Sequence, residues 1–281
     1  MPRAIWSGAI SFGLVSVPVK LYSAVSRKSV RFNQLDSETN SRIRQKRVNG
    51  EGEEVPYDKI VKGYEIAKDS YVVVTDDELA ALAPKANRMI DISDFVDESE
   101  IDPVFYDAAY YLVPDELARK SYVLLARAME EANRVAVASY VMRTKQYLVA
   151  IRPTNGVLTM STMVYADEVV GTDDVPGFDE LDDIDVTEAE LAMAGQLVDS
   201  LTTDFDPERY RDTYRDQVLE LLEAKAAGEV ATIEAPVLED EAVVDLMAAL
   251  EASVQAAKAA RASSSDADGA GDADEPQAAS A

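Results

Sequence analysis

The stretch Trp6-Ser7-Gly8-Ala9-Ile10-Ser11-Phe12-Gly13-Leu14-Val15-Ser16-Val17-Pro18-Val19-Lys20-Leu21 decides the fold. Trp6, Gly8, Ile10, Phe12 and Leu14 occupy even positions, whereas Val15, Val17, Val19 and Leu21 occupy odd ones. Side chains alternate across a strand with period two. Moving the apolar set by one residue therefore requires a bulge or a sharp bend near Gly13–Leu14. Gly13 supplies the backbone freedom for it. Corners of this kind carry strands around a barrel or between packed sheets.

Outward from this stretch, Arg42–Val48, Tyr71–Val74 and Arg88–Val96 read as strands. Arg134–Met142, Gln146–Arg152 and Val157–Tyr165 read as a meander joined by Arg143-Thr144-Lys145 and Pro153-Thr154-Asn155-Gly156. Thr75 with Glu78 forms a capping box for a short helix that Pro84 closes. Leu117, Ser121, Leu124, Leu125, Ala128 and Met129 share one helical face between Asp115 and Ala132. Strands with few interleaved helices predict a mixed, mostly β domain over residues 1–170.

The composition then shifts. Residues 171–208 hold thirteen Asp/Glu and no Lys/Arg. They read as an acidic connection followed by a helix capped by Thr187 and Glu190, with Leu191, Ala194, Leu197, Val198 and Leu201 on its apolar side. A second helix is expected from Asp206-Pro207 through Tyr210, Tyr214, Val218, Leu221 and Leu222 to Gly228. These two make a helical arm over 171–228. A third helix within 229–261 aligns Leu246, Met247, Leu250 and Val254. That stripe suits docking on the same subunit or a partner-binding helix on a tether, which Pro236 favours. Residues 262–281, rich in Ala, Ser, Gly and Asp, read as a disordered tail.

No Cys and no His occur in the 281 residues. That excludes disulfides, thiolate or imidazole metal sites, and triads built on His. The tail from Asp266 lacks calcium-loop ligands, with Ala270 and Gln277 where oxygens are needed. No metal or cofactor is expected. The uncharged run Ala4–Val19 follows Arg3, yet Ser7, Gly8, Ser11, Gly13, Ser16 and Pro18 interrupt a secretory core. No apolar run reaches spanning length, so a cytoplasmic protein is expected.

Charge is segregated. The first fifty residues carry nine Lys/Arg against two Asp/Glu, and the remaining 231 carry eighteen against fifty-one. A basic segment in a chain of net charge −26 points to an anionic partner, phosphate above all. On a strand, Arg42, Arg44 and Lys46 would project from one face at roughly 7 Å intervals, a row suited to a polyanion backbone. Arg47 belongs to the same segment, Arg27, Lys28 and Arg31 add charge upstream, and Arg143 and Lys145 sit at a hairpin tip. An edge strand guarded by Lys/Arg explains the same pattern. A hydrolase using two carboxylates is a third class, but no pair stands out among fifty-three.

The run Ser11-Phe12-Gly13-Leu14-Val15-Ser16-Val17-Pro18-Val19-Lys20-Leu21-Tyr22-Ser23 resembles the opening signature of bacterial Ku proteins. The likeness continues through Arg42–Val48, Ile60–Glu65, Ile101-Asp102-Pro103, Tyr110–Pro114, Tyr165–Glu168 and Phe205–Tyr210. It covers roughly residues 1–260, and the order and spacing of the blocks make it specific. The resemblance implies a Ku-type β-barrel core with a helical C-terminal arm, and a homodimeric ring around duplex DNA. It implies a non-enzymatic scaffold of the nucleoid that binds double-stranded ends without reading sequence. The scaffold would protect those ends and recruit a multifunctional ATP-dependent DNA ligase for non-homologous end joining. The 229–261 helix would be the recruiting segment. The alternative is a β-barrel interaction adaptor without DNA binding. The chain departs from many relatives at Asn49-Gly50-Glu51-Gly52, where they carry a Cys pair, and at Asn33, where a His is common.

Overall fold

The computed structural model describes residues 3–82, 88–142, 145–181, 183–228, 247–256 and 258. Pro84, the Arg143-Thr144 link, residues 229–246 and the tail from 262 lie outside the described residues. The chain divides into two compact units, Met1–Asp174 and Val175–Ala281.

The first unit is a closed barrel. Its strands are β1 (Trp6–Phe12), β2 (Val15–Ser23), β5 (Met89–Val96), β6 (Tyr106–Pro114), β7 (Val135–Met142), β8 (Lys145–Thr154) and β9 (Val157–Met163). They close in the order β1-β2-β6-β9-β8-β7-β5, and β3 (Lys62–Ala67) pairs with β4 (Ser70–Val74) as a separate hairpin. The expected bend near Gly13 is a full reversal instead. Phe12 pairs with Val15, Ile10 with Val17, Gly8 with Val19 and Trp6 with Leu21. A two-residue antiparallel turn sets even positions opposite odd ones, so the parity switch keeps both apolar sets on one face. Gly13 has φ of +59° and Leu14 does not share the positive sign, as a glycine-led hairpin turn requires. Ile10, Val17, Val19 and Leu21 are buried accordingly.

The barrel closes through a parallel contact of β1 with β5, at Ala9↔Met89, Ile10↔Ile90 and Ser11↔Asp91. Ala9 N–H donates to the Arg88 carbonyl at 2.9 Å beside it. Here Gly8 lets two backbones approach: a Cβ would overlap the Arg88 carbonyl oxygen and the Trp6 ring. The other strands pair antiparallel, with bulges at Ile92/Asp94 and Tyr106/Ala109.

Helix α2 (Arg119–Ala132) extends the barrel core, following a 3-10 turn over Glu116–Ala118. It buries Tyr122, Leu125, Ala126 and Met129, while Leu117 and Leu124 of the expected face are 102% and 69% exposed. Tyr122 decides the rotation. Its hydroxyl donates to the Leu112 carbonyl at 2.7 Å and accepts from the Leu158 N–H at 2.6 Å. Leu112 and Leu158 are register partners of β6 and β9, so one side chain ties the helix to both strands. Burial pushes the Tyr122 phenol up and keeps it protonated as a donor. Tyr140, also buried, has its phenol pushed up mainly by desolvation, and its hydroxyl finds no partner among the described residues.

Short helix α1 (Asp76–Leu82) carries the expected box, with the Glu78 carboxylate accepting from the Thr75 N–H and hydroxyl. In the second unit, α3 (Glu188–Leu201) is boxed by Thr187 and Glu190. The predicted second helix is split into a 3-10 turn at Pro207–Arg209 and α4 (Thr213–Ala226), which Asp212 caps through the Arg215 N–H at 2.9 Å.

Tyr122→Phe strands a buried carbonyl and a buried N–H, and should cost about 1–3 kcal/mol of stability. Tyr140→Phe removes an unpaired hydroxyl, and should leave the denaturation midpoint unchanged or raise it. Equal losses in urea titrations of both variants would contradict this division. Gly8→Ala forces the seam apart, with an expected cost at the upper end of ~1–3 kcal/mol, read as a lowered Tm.

Candidate nucleic-acid interface

From residue 24 to residue 88 the chain leaves the barrel, and no described residue there is buried. Phe32 and Tyr64 are 71% and 70% exposed, so this excursion has no core of its own. Beyond residue 61 it is ordered by the β3–β4 hairpin and α1, and before that by two side-chain-braced turns. In the first, Asp36 accepts from the Glu38 N–H at 3.0 Å and the Thr39 hydroxyl at 2.6 Å, and Asn40 takes a left-handed φ of +51°. Those bonds, Thr39's foremost, hold the Asp36 carboxyl below its ordinary range. In the second, the Asn49 side-chain oxygen accepts from the Glu51 N–H at 3.1 Å and the Glu53 N–H at 2.9 Å.

The basic segment is stretched between these turns. Arg42–Val48, whose alternation predicts a strand, forms no ladder strand in the structure. Its backbone is held near its ends, by the isolated bridges Leu35↔Arg42 and Val48↔Glu54, with the Ile43 N–H donating to the Gln34 carbonyl at 3.2 Å and the Val55 N–H to the Arg47 carbonyl at 2.9 Å. Turns at Asn40-Ser41 and Asn49-Gly50 flank it, and the segments beyond them meet it only in those single bridges. Arg27, Lys28, Arg31, Arg42, Arg44, Lys46 and Arg47 all lie exposed on this one excursion. Only Lys46 is ion-paired among the described residues, to Glu54 at 2.6 Å. Arg47 stands over the Tyr57 ring, 5.4 Å from its centroid. Lys145 belongs to a different element, the start of β8, over the Tyr147 ring at 5.4 Å. Arg143 lies outside the described residues.

Cations of the barrel are treated differently. Lys20 pairs with Asp115, Arg134 with Asp97 and Arg152 with Glu98, each at 2.8 Å. Arg152 also covers the Tyr106 ring. The chain therefore neutralises several barrel cations with its own carboxylates and leaves most of those on the excursion unmatched. Glu54 and Tyr57, which hold Lys46 and Arg47, were missed from sequence. The turn chemistry of Asn49-Gly50 and Gly52 was the available signal, because a reversal there returns Glu54 alongside Lys46.

Residues 247–256 are helical. Met247 and Leu250 are half-buried, Val254 is buried, and Leu246 lies outside the described residues. No helix among the described residues is long and apolar enough to cross a membrane.

A family model described as the Ku70/Ku80 beta-barrel domain matches residues 11–193. A protein of Anaeromyxobacter sp. (strain K) named Non-homologous end joining protein Ku is 51% identical over 263 residues, covering 92% of this chain and 87% of its own. Non-homologous end joining protein Ku of Mycobacterium tuberculosis (strain CDC 1551 / Oshkosh) is 42% identical over 264 residues, covering 90% of this chain and 95% of its own. Non-homologous end joining protein Ku 1 of Saccharopolyspora erythraea is 42% identical, covering 93% and 81%. A seven-stranded barrel closed through β1 and β5, with helices after it and identity of this depth over nine-tenths of its length, establishes that the chain belongs to the Ku family.

Proposed function

We propose that this protein binds double-stranded DNA ends without reading their sequence, as a ring-shaped homodimer. In that role it protects the ends and recruits a multifunctional ATP-dependent DNA ligase for non-homologous end joining. The observation that carries the reading is the excursion: seven exposed cations between residues 24 and 48, six of them in no ion pair among the described residues. Phosphate is the ligand that such a surface suits. A binder of any break gains from contacts to backbone rather than to base edges.

Exposed apolar surface supports a second subunit. The excursion leaves Phe32, Tyr57, Tyr64 and Tyr71 open. The barrel carries a groove of about 800 Å³ lined by Tyr22, Tyr111, Val113, Tyr122 and Val123 among others. Helices α3 and α4 contain no buried residue, and Leu191, Val198 and Leu201 are more than 60% exposed. Exposed apolar side chains of this kind are what a second subunit would cover.

Hydrolysis by a carboxylate pair gains no support. The shifted carboxyls among the described residues are Asp36, Glu78, Asp97 and Glu190; Glu78 is exposed, the other three are half-buried, and hydrogen bonds lower all four. A general acid needs the opposite shift.

At matched salt the protein should be retained on linear duplex and released from covalently closed circles of the same sequence. Equal retention on both overturns the ring. Arg42→Gln with Arg44→Gln should weaken binding alike for every sequence and flatten the plot of log affinity against log salt by about 0.9 for each lost phosphate contact. Unchanged affinity would favour the adaptor. Leu250→Asp should abolish capture of the purified ligase while retention on linear DNA persists. If capture survives, the 247–256 helix is not the recruiting element.

A further inference from the structure

The four cations of the 42–47 segment are not equally available. Arg42 and Arg44 form no ion pair among the described residues. Arg47 is steadied by Tyr57, but an aromatic face orients a guanidinium without cancelling its charge. Lys46 is different: its ammonium lies 2.6 Å from Glu54 Oε2, with side chains 70% and 58% exposed. The turn delivers Glu54 to that place. Asn49 braces residues 51–53, Val48 bridges Glu54, and the Val55 N–H donates to the Arg47 carbonyl at 2.9 Å. Its neighbour Glu53 instead accepts from the Asn49 side-chain amide at 3.5 Å.

We propose that Glu54 is an internal competitor for phosphate, occupying Lys46 and setting how tightly the basic segment grips DNA. The inference rests on the DNA-binding reading above. A carboxylate and a phosphodiester offer the same lone-pair chemistry to an ammonium, so a phosphate must displace Glu54 before Lys46 contributes. An exposed pair is weak enough to exchange, and this one is therefore a graded restraint and not a lock. Its effect is to remove one cation from the counterion balance, which lowers affinity and makes it less dependent on salt. A collar that has to move along the duplex gains from such a restrained grip.

The test is a salt series of equilibrium binding to a short blunt linear duplex. Glu54→Gln should tighten binding about two- to fivefold. It should also steepen the slope of log affinity against log salt, by up to about 0.9. Glu54→Ala should do the same, which guards against a local defect in either variant. Glu51→Gln removes an equal charge from the same turn, and should give a smaller gain with no change of slope. Adding Lys46→Gln to Glu54→Gln should erase the gain, and Lys46→Gln should cost less in the wild type than in that background. A gain equal to that of Glu51→Gln, or one that survives Lys46→Gln, overturns the proposal and leaves only a general charge effect. Failure of the underlying reading looks different: the wild type would not bind the duplex at low salt, or Arg42→Gln with Arg44→Gln would change nothing.

Discussion

Closure of the barrel through a parallel pair is the constraint on which the rest depends. A sheet closed on itself has no edge to protect, and every strand of the ring finds two neighbours. Antiparallel neighbours can be joined by a two-residue turn, as β1 and β2 are through Gly13-Leu14. Parallel neighbours cannot, because the chain must travel back before it can pair again. Between β1 and β5 it therefore spends the β2 strand and the whole excursion, and returns at a seam that only Gly8 is small enough to admit. The longest exposed stretch of the first unit is thus a consequence of its topology.

What the excursion does follows from what it lacks. Without a core, the shape of its basic first part is set by hydrogen bonds that short polar side chains make locally, at Asp36 and at Asn49. Such turns leave side chains free to face solvent, so cations between them can meet a ligand of opposite charge. The barrel, by contrast, has carboxylates close to Lys20, Arg134 and Arg152, and their charge is spent internally. Segregation of charge along the chain becomes segregation of available charge in space.

Burial is as uneven as charge. The barrel and α2 share one core in which Tyr140, Ile10, Leu21, Leu112, Leu158 and Met160 have almost no exposed surface. Helices α3 and α4 are well capped yet contain no fully buried residue. Caps contribute about 1 kcal/mol each, whereas most helical stability in proteins comes from covering an apolar face. Elements of this kind are suited to acquiring their packing from a second chain.

Much of this was legible in residues. Most strand runs, though not Lys62–Ala67 or Tyr106–Pro114, both Thr–Glu capping boxes, the absence of thiol and imidazole chemistry, and the charge split are local or compositional, and local hydrogen bonds or simple counting decide them. The parity switch at Gly13 was also visible, but a bend and a hairpin leave the same trace in one strand, and only the partner strand separates them. Alternation in Arg42–Val48 suggested a strand for the same reason, although a ladder needs a continuously paired neighbour and this segment makes isolated bridges at its two ends. Two apolar faces of α2 satisfied helical spacing. The Leu112 carbonyl and Leu158 N–H, more than thirty residues apart across the hydroxyl of Tyr122 on its one side, chose between them. The sequence by itself determined which segments alternate, where caps and turns fall and how charge is distributed, because these depend on neighbours in the chain. The tertiary structure alone decided which strand closes the ring, which face of α2 is buried and that Glu54 meets Lys46, because each depends on groups brought together by folding.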